Sequence, residues 1–252
     1  MKIKMMSLNT QHCLNFITRE IDFDVMADTI RTCGADIIGL QEMRNEGPDP
    51  EYRAQTKILG EKLGYPHYYF AEAIRFDGVN PYGNALISRY PIIAAETIRI
   101  PAPEPKQYDG YYETRCLLKA TIDAGPGLTV LVSHFGLNPD EQENAVAAVL
   151  RQIPEGPCVL MGDFNMEPDN PILEPLTRRL WDTAQAFSSP KCSFPSDRPT
   201  VKIDYIFVTG DVEVKSADIP GIISSDHRPH VAEIELGARA AHFSLDGCSS
   251  AG

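Results

Sequence analysis

Leu160–Asn165 reads LMGDFN, an apolar run that ends on Asp, Phe and Asn. In an extended chain residues two apart share a face, so Asp163 and Asn165 point one way and Phe164 the other. A buried strand gains nothing from two polar side chains at its tip. An anionic oxygen beside an uncharged amide suits a site that holds a cation and a polar substrate. The competing reading is a strand that ends in an Asx-type turn, and the hexapeptide alone does not choose. The rest of the chain decides.

Runs of the same kind recur at Ile3–Leu8, Asp36–Leu40, Ala85–Ser88, Cys116–Ile122, Thr129–Ser133, Cys158–Met161, Ile203–Val208 and Val231–Leu236. They read as strands, several continuous enough to be buried on both faces. Helical patterns lie between them. Asp24 caps one that carries Met26, Ile30 and Cys33 and stops at Gly34. A second runs from about Glu51 to Leu63, with Gly64 and Pro66 beyond. Asn138 caps a third, with Pro139 first, Asp140 and Glu141 in its first turn, and Val146, Val149, Leu150 and Ile153 on one face. A fourth starts at Asn170-Pro171 and buries Ile172, Leu173, Leu176 and Leu180. Alternation is not strictly βαβ, and several strands follow one another directly. This predicts an α+β chain of mixed sheets packed face to face, helices outside. Ile100–Tyr112 (IPAPEPKQYDGYY) reads as a loop. No Gly/Ser-rich linker divides the chain, so one domain is expected over 1–236, followed by a loosely held tail over 237–252.

The 252 residues can bury a sizeable core, and 43% hydrophobic with 23% charged content is ordinary for a globular protein. No apolar run approaches a membrane span, and MKIKMMSLNT resembles a strand more than a leader, so a cytoplasmic location is expected. Cys13, Cys33, Cys116, Cys158, Cys192 and Cys248 are scattered without a C-x-x-C pair or a His/Cys cluster, which predicts reduced thiols and no zinc site. The net charge is −12 and there is no Lys/Arg-rich run. Proteins that grip long nucleic acid carry a basic face, so charge argues against that partner and for a divalent cation.

The chemistry gathers where strands end. Asn9 follows the first, Gln41 and Glu42 the second, His134 the central one; Asp204 lies early in KIDYIF, and SSDHRPH sets Asp226 beside His227 before the last strand. Singly each has a plain alternative: Asn9 a turn former, Glu42 a solvated strand end, His134 a semi-buried histidine, Asp204 a buried acid, Asp226-His227 a loop pair. Together they ask for one shared site, because loops at sheet edges converge on one rim.

In this order Asn9, QE42, YGNALISRYPI (Tyr82–Ile92), ETR (Glu113–Arg115), His134, GDFN165, KIDYIF and SDHRP resemble the endonuclease/exonuclease/phosphatase superfamily of metal-dependent phosphohydrolases. The likeness spans Met1 to about Leu236. It implies a four-layer α/β/β/α sandwich of the DNase I type with its site across the sheet edges. It implies Mg²⁺ or Mn²⁺, held chiefly by Glu42, with Asn9 adjoining and Asp226 helping through water. It sets Asp163 beside the attacking water, Asn165 on a phosphoryl oxygen, and Asp204 behind His227. His134 contacts phosphoryl oxygens or assists the leaving group, and Arg115 oriented by Glu113 adds a phosphate contact. Whether Asp163 or His227 takes the water's proton stays open.

Departures narrow the branch. The apurinic-endonuclease branch has a Trp beside its first Asn and lacks the histidine at 134; SLNTQH has no such Trp. The secreted DNase I-like branch backs that histidine with a glutamate where this chain has Asn84. The branch of bacterial sphingomyelinases and small phosphodiesterases fits better, although no membrane-inserting apolar hairpin is evident. The expectation is a monomeric hydrolase of a small phosphodiester or phosphomonoester. Its rivals are a nuclease, which needs a basic rim drawn from Arg44, Arg75, Arg89, Arg115 and Arg228; a lipid phosphodiesterase; and a binding module without catalysis.

Overall fold

Alternation within single strands already shows where the layers lie. In one strand, Cys158–Asp163, Val159 and Met161 enter one core while Cys158 and Leu160 enter another. Ile3 and Met5 likewise face the first core, and Met6 and Leu8 a third. Strands buried on both faces need a partner sheet on one side and helices on the other.

The computed structural model describes residues 1–237. In chain order the elements are β1 (Lys2–Asn9), α1 (Phe23–Cys33), β2 (Ile37–Arg44), α2 (Gln55–Leu63), β3 (His67–Phe76), β4 (Asn80–Ser88), β5 (Ile92–Ile100) and β6 (Arg115–Ile122). They continue with β7 (Leu128–His134), α3 (Pro139–Leu150), β8 (Cys158–Asp163), α4 (Glu174–Thr177), β9 (Trp181–Asp182), β10 (Asp204–Val208), β11 (Val212–Asp218) and β12 (His230–Leu236). Two six-stranded sheets result, ordered β11-β12-β1-β2-β4-β3 and β5-β6-β7-β8-β10-β9. Each is mixed: β1/β2 and β7/β8 run parallel, and the other pairs antiparallel. Each parallel pair is joined through a helix, α1 or α3, because parallel neighbours need a crossover. The inter-sheet core holds Met5, Leu118, Val132, Met161 and Ile234; outer cores lie under α1/α2 and under α3/α4. The four-layer α/β/β/α sandwich expected from the sequence is the fold observed.

Local chemistry corrects several boundaries. Asp22, not Asp24, caps α1, its carboxylate accepting the N–H groups of Asp24 and Val25. α2 starts at Gln55, four residues after Glu51. Asn138 caps α3 as expected, with Glu141 reaching back to the Asn138 N–H. The fourth helix is short: Asn170 caps a 3₁₀ turn at Pro171–Leu173 that runs into α4, burying Leu173, Leu176 and Leu180 with Ile172 half-buried. Cys13, Cys33, Cys116, Cys158 and Cys192 are free thiols. Cys248 and residues 238–252 of the expected tail lie outside the described residues.

Candidate active site

Register brings three of the expected residues to one level of the second sheet. Asp163 at the end of β8 faces His134 on β7 across a parallel pair and Asp204 on β10 across an antiparallel one. On the first sheet Asn9 ends β1 opposite Gln41 of β2. Glu42 follows in a register shift of β2 against β4, with φ of 59°. A non-glycine residue resists that conformation, and such strain collects at functional sites. Here it turns the Glu42 side chain into a cavity shared with Tyr82, Glu113, Arg115, His134, Asp163, Asn165 and His227. Asn165 also has positive φ, 52°, at the tip of GDFN. Asparagine tolerates this geometry, and it lets the Asn165 N–H return to Asp163 Oδ1 at 3.0 Å. Strand tip and Asx turn therefore coexist in LMGDFN.

Hydrogen bonds tie the two sheets together. The Asn9 amide donates to Asp163 Oδ2 and Glu42 Oε1, each at 3.0 Å, while its oxygen accepts the Gln11 N–H at 3.1 Å. Asn9 therefore clamps two carboxylates, and its oxygen is already engaged. The Tyr82 hydroxyl donates to Glu42 Oε2 at 2.9 Å. Dispersed through the chain, tyrosines carry no sequence signal of a role, and Tyr82 is marked only by its place in YGNAL. Asp226 stands half-buried beside the site, accepting the Ser225 hydroxyl at 2.9 Å, and does not line the cavity.

His227 donates Nδ1–H to Asp204 Oδ2 at 2.9 Å, and its Nε2 lies 3.6 Å from Asp163 Oδ2. Burial opposes its charge, but Asp204 and Asp163 together hold the ring protonated, up to about 10. Burial also pushes the Asp163 carboxyl up to about 7, against the pull of the His227 charge. His134 differs. Arg115 contacts its Nδ1 at 3.2 Å and the Asn165 amide its Nε2 at 3.2 Å. A neutral imidazole accepts at one nitrogen and an imidazolium at neither, so donors on both sides keep this ring uncharged. Burial first, then the Arg115 charge, holds it well below the usual histidine range. Asn84 is committed to the Cys116 carbonyl at 2.9 Å, so arginine, not a carboxylate, backs His134. Glu113 in turn holds Arg115 at 2.9 Å.

Four of the five candidate rim arginines are paired with carboxylates. Arg44 pairs with Glu51 at 2.8 Å, Arg75 with Glu72 at 2.7 Å, Arg89 with Asp36 at 3.3 Å and Arg115 with Glu113. Arg228 is turned to the Ser196 carbonyl at 2.7 Å.

Among the described residues, Asp163, Asp204 and His227 bring potential ligand atoms within 4.8 Å of one another. The His227–Asp204 hydrogen bond already uses that group, and a protonated ring has no lone pair for an ion. Glu42 suits a hard cation better. Each of its oxygens receives a single donor, so lone pairs remain for an ion, and the Glu113 carboxylate lines the same cavity.

Known proteins share this fold. Over its length the chain is 25% identical to Uncharacterized protein YbhP of Escherichia coli (strain K12), covering 92% of this chain and 96% of that protein. An endonuclease/exonuclease/phosphatase from Beutenbergia cavernae DSM 12333 superposes with a TM-score of 0.75 at 22% identity, over 94% of this chain and 72% of the other. The Bacteroides thetaiotaomicron VPI-5482 mannosyl-6-phosphatase Bt3783 gives 0.73 at 18% identity, over 92% and 99%. Residues 6–227 match the Endonuclease/Exonuclease/phosphatase family, and the chain belongs to that family.

Proposed function

We propose that the protein is a divalent-metal-dependent hydrolase of small phosphate esters, acting by in-line attack of water. The observation that carries this reading is the convergence of Glu42, His134, Asp163, Asn165 and His227 on one cavity of about 360 Å³. That volume accepts a phosphoryl group with a small substituent, and the pairing of Arg44, Arg75, Arg89 and Arg115 leaves little free positive charge for a polynucleotide backbone. The mannosyl-6-phosphatase among the structural neighbours supports the same substrate scale.

Glu42 would hold the ion, Mg²⁺ or Mn²⁺, kept in place by Asn9 and Tyr82, with Asp226 nearby to assist through water. Bound there, a divalent cation supplies positive charge to phosphoryl oxygens. Asp163 takes the proton of the attacking water, since its carboxyl is lifted to about 7 whereas His227 is already charged. His227, backed by Asp204, stabilises negative charge on the phosphoryl group. Asn165 and the neutral His134 hydrogen-bond the phosphoryl oxygens, and Arg115 adds a charge held in register by Glu113.

The test is a parallel screen of bis-p-nitrophenyl phosphate, p-nitrophenyl phosphate, sphingomyelin, plasmid DNA and an abasic oligonucleotide, with Mg²⁺, Mn²⁺ or EDTA. A small ester is expected to turn over fastest, EDTA to abolish activity, and Glu42→Gln to weaken metal binding measured by calorimetry. Full activity in metal-free buffer would sink the metal assignment. Tight, steeply salt-dependent binding of a long duplex would reverse the substrate ranking.

A further inference from the structure

Leu137 is 62% exposed on the loop between β7 and α3, flanked on both sides by buried residues. The loop is fastened there. The Asn138 side chain donates to the Tyr111 carbonyl at 2.8 Å, and Gly136 lies so close to Glu141 that a Cβ would meet that side chain at 2.5 Å. One exposed leucine means little by itself. This one, however, lines the cavity of the candidate site together with Phe194 and Ile203. Phe194 packs its ring 4.8 Å from that of His227.

The cavity lining is therefore of two kinds. Glu42, Tyr82, Glu113 and Arg115 are polar; Leu137, Phe194 and Ile203 offer no side-chain hydrogen-bonding group. A sugar hydroxyl placed against these apolar side chains would lose its water contacts without replacement, whereas an aryl or alkyl group would gain from leaving water. We propose that Leu137, Phe194 and Ile203 are specificity-determining residues that receive an apolar, ring-sized group attached to the phosphorus centre, so that the preferred substrates are esters of apolar alcohols or phenols. The proposal rests on the phosphate-ester reading above, which supplies the position of the phosphoryl group.

Two phosphonates separate the apolar lining from the chemistry. Binding of phenylphosphonate and methylphosphonate to the Mn²⁺-supplemented protein is measured by calorimetry for wild type, Leu137→Ser and Ile93→Ser. Ile93 is 64% exposed at the start of β5 and serves as the control for loss of an exposed apolar residue elsewhere. Wild type and Ile93→Ser are expected to prefer the phenyl compound about tenfold or more, and Leu137→Ser to lose most of that preference. Equal affinities in wild type, binding of neither compound, or a preference untouched by Leu137→Ser would overturn the proposal. Turnover of bis-p-nitrophenyl phosphate is followed separately: absence of turnover with the phenyl preference intact would count against the hydrolase reading and leave the role of the apolar lining standing.

Discussion

Asp163 is the residue on which both sheets converge: Asn9 and His227, the latter on the loop before β12, reach it from one, with His227 3.6 Å from its Oδ2, while His134 stands 3.6 Å from the same oxygen on the other. Its environment separates two roles by charge. The two carboxylates favour charge on His227 while burial raises Asp163, which is why the proposed mechanism gives the water's proton to Asp163. If Asp204 serves to keep His227 charged, Asp204→Asn should lower turnover while the protein still folds. His227→Ala should cost ~10²–10³-fold, the usual weight of one group that stabilises developing negative charge. Residues acting as one unit are non-additive, so Asp204→Asn with His227→Ala should cost little more than His227→Ala alone. Single-turnover rates of the four proteins, with melting temperatures alongside, read this directly. Multiplying effects would mean that Asp204 is a structural acid and would remove the pair from the mechanism.

At the scale of elements, the site depends on how closely β7 and β8 approach. A Cβ added at Gly162 would lie 1.9 Å from the Ser133 carbonyl oxygen, an approach that only backbone movement relieves. Gly39 is tight as well, but its nearest neighbours are side chains, Met161 and Val132 at 3.0 Å. Gly162→Ala should therefore destabilise by at least about 1–3 kcal/mol, more than Gly39→Ala, with a larger loss of activity because His134 and Asp163 end the two displaced strands. Denaturant unfolding and turnover of both variants give the ranking, and equal effects would refute it. The strands at the centre of each sheet were legible in the sequence because burial on both faces leaves an unbroken apolar run. The four that were not, β3, β5, β9 and β11, are the four edges of the two sheets. An edge has one side without a partner strand, and sequences such as HYYFAEAIRF and VEVKSAD mix charges into it. The site divides in the same way. Strand-tip acids and histidines announce themselves by breaking an apolar run, whereas Tyr82 and Leu137 acquire meaning only from what they face after folding.

The whole molecule is two sheets held together, and His230 sits in the seam. It opens β12 opposite Ser7 of β1, yet its Nδ1–H donates to the Asp204 carbonyl of the other sheet at 3.3 Å and its Nε2 meets the Thr183 hydroxyl at 3.0 Å. Its ring is fully buried, and burial, followed by the Lys202 charge, lowers it to about 4 from the ordinary 6.5. The unfolded chain takes up this proton near 6.5, while the folded protein refuses it until about pH 4. Between those values the unfolded state binds more protons, so stability falls as pH falls through that window. At pH 4.5 the loss from this one residue amounts to about 2–3 kcal/mol relative to pH 7. Other groups titrate in the same range, some with the opposite sign: Asp163, raised to about 7, gains its proton in the folded state first. The quantity to measure is therefore a difference. Unfolding free energies of wild type and His230→Asn at pH 7 and 4.5 should show the variant weaker at neutral pH but losing less on acidification, because Asn has no proton to take up. Parallel losses in the two proteins would mean that the ring titrates in the folded protein as it does in the unfolded chain, near 6.5, so that burial does not hold it neutral. In that case the Thr183 hydroxyl could not donate to Nε2 at pH 4.5, and the seam between the sheets would carry a cation there.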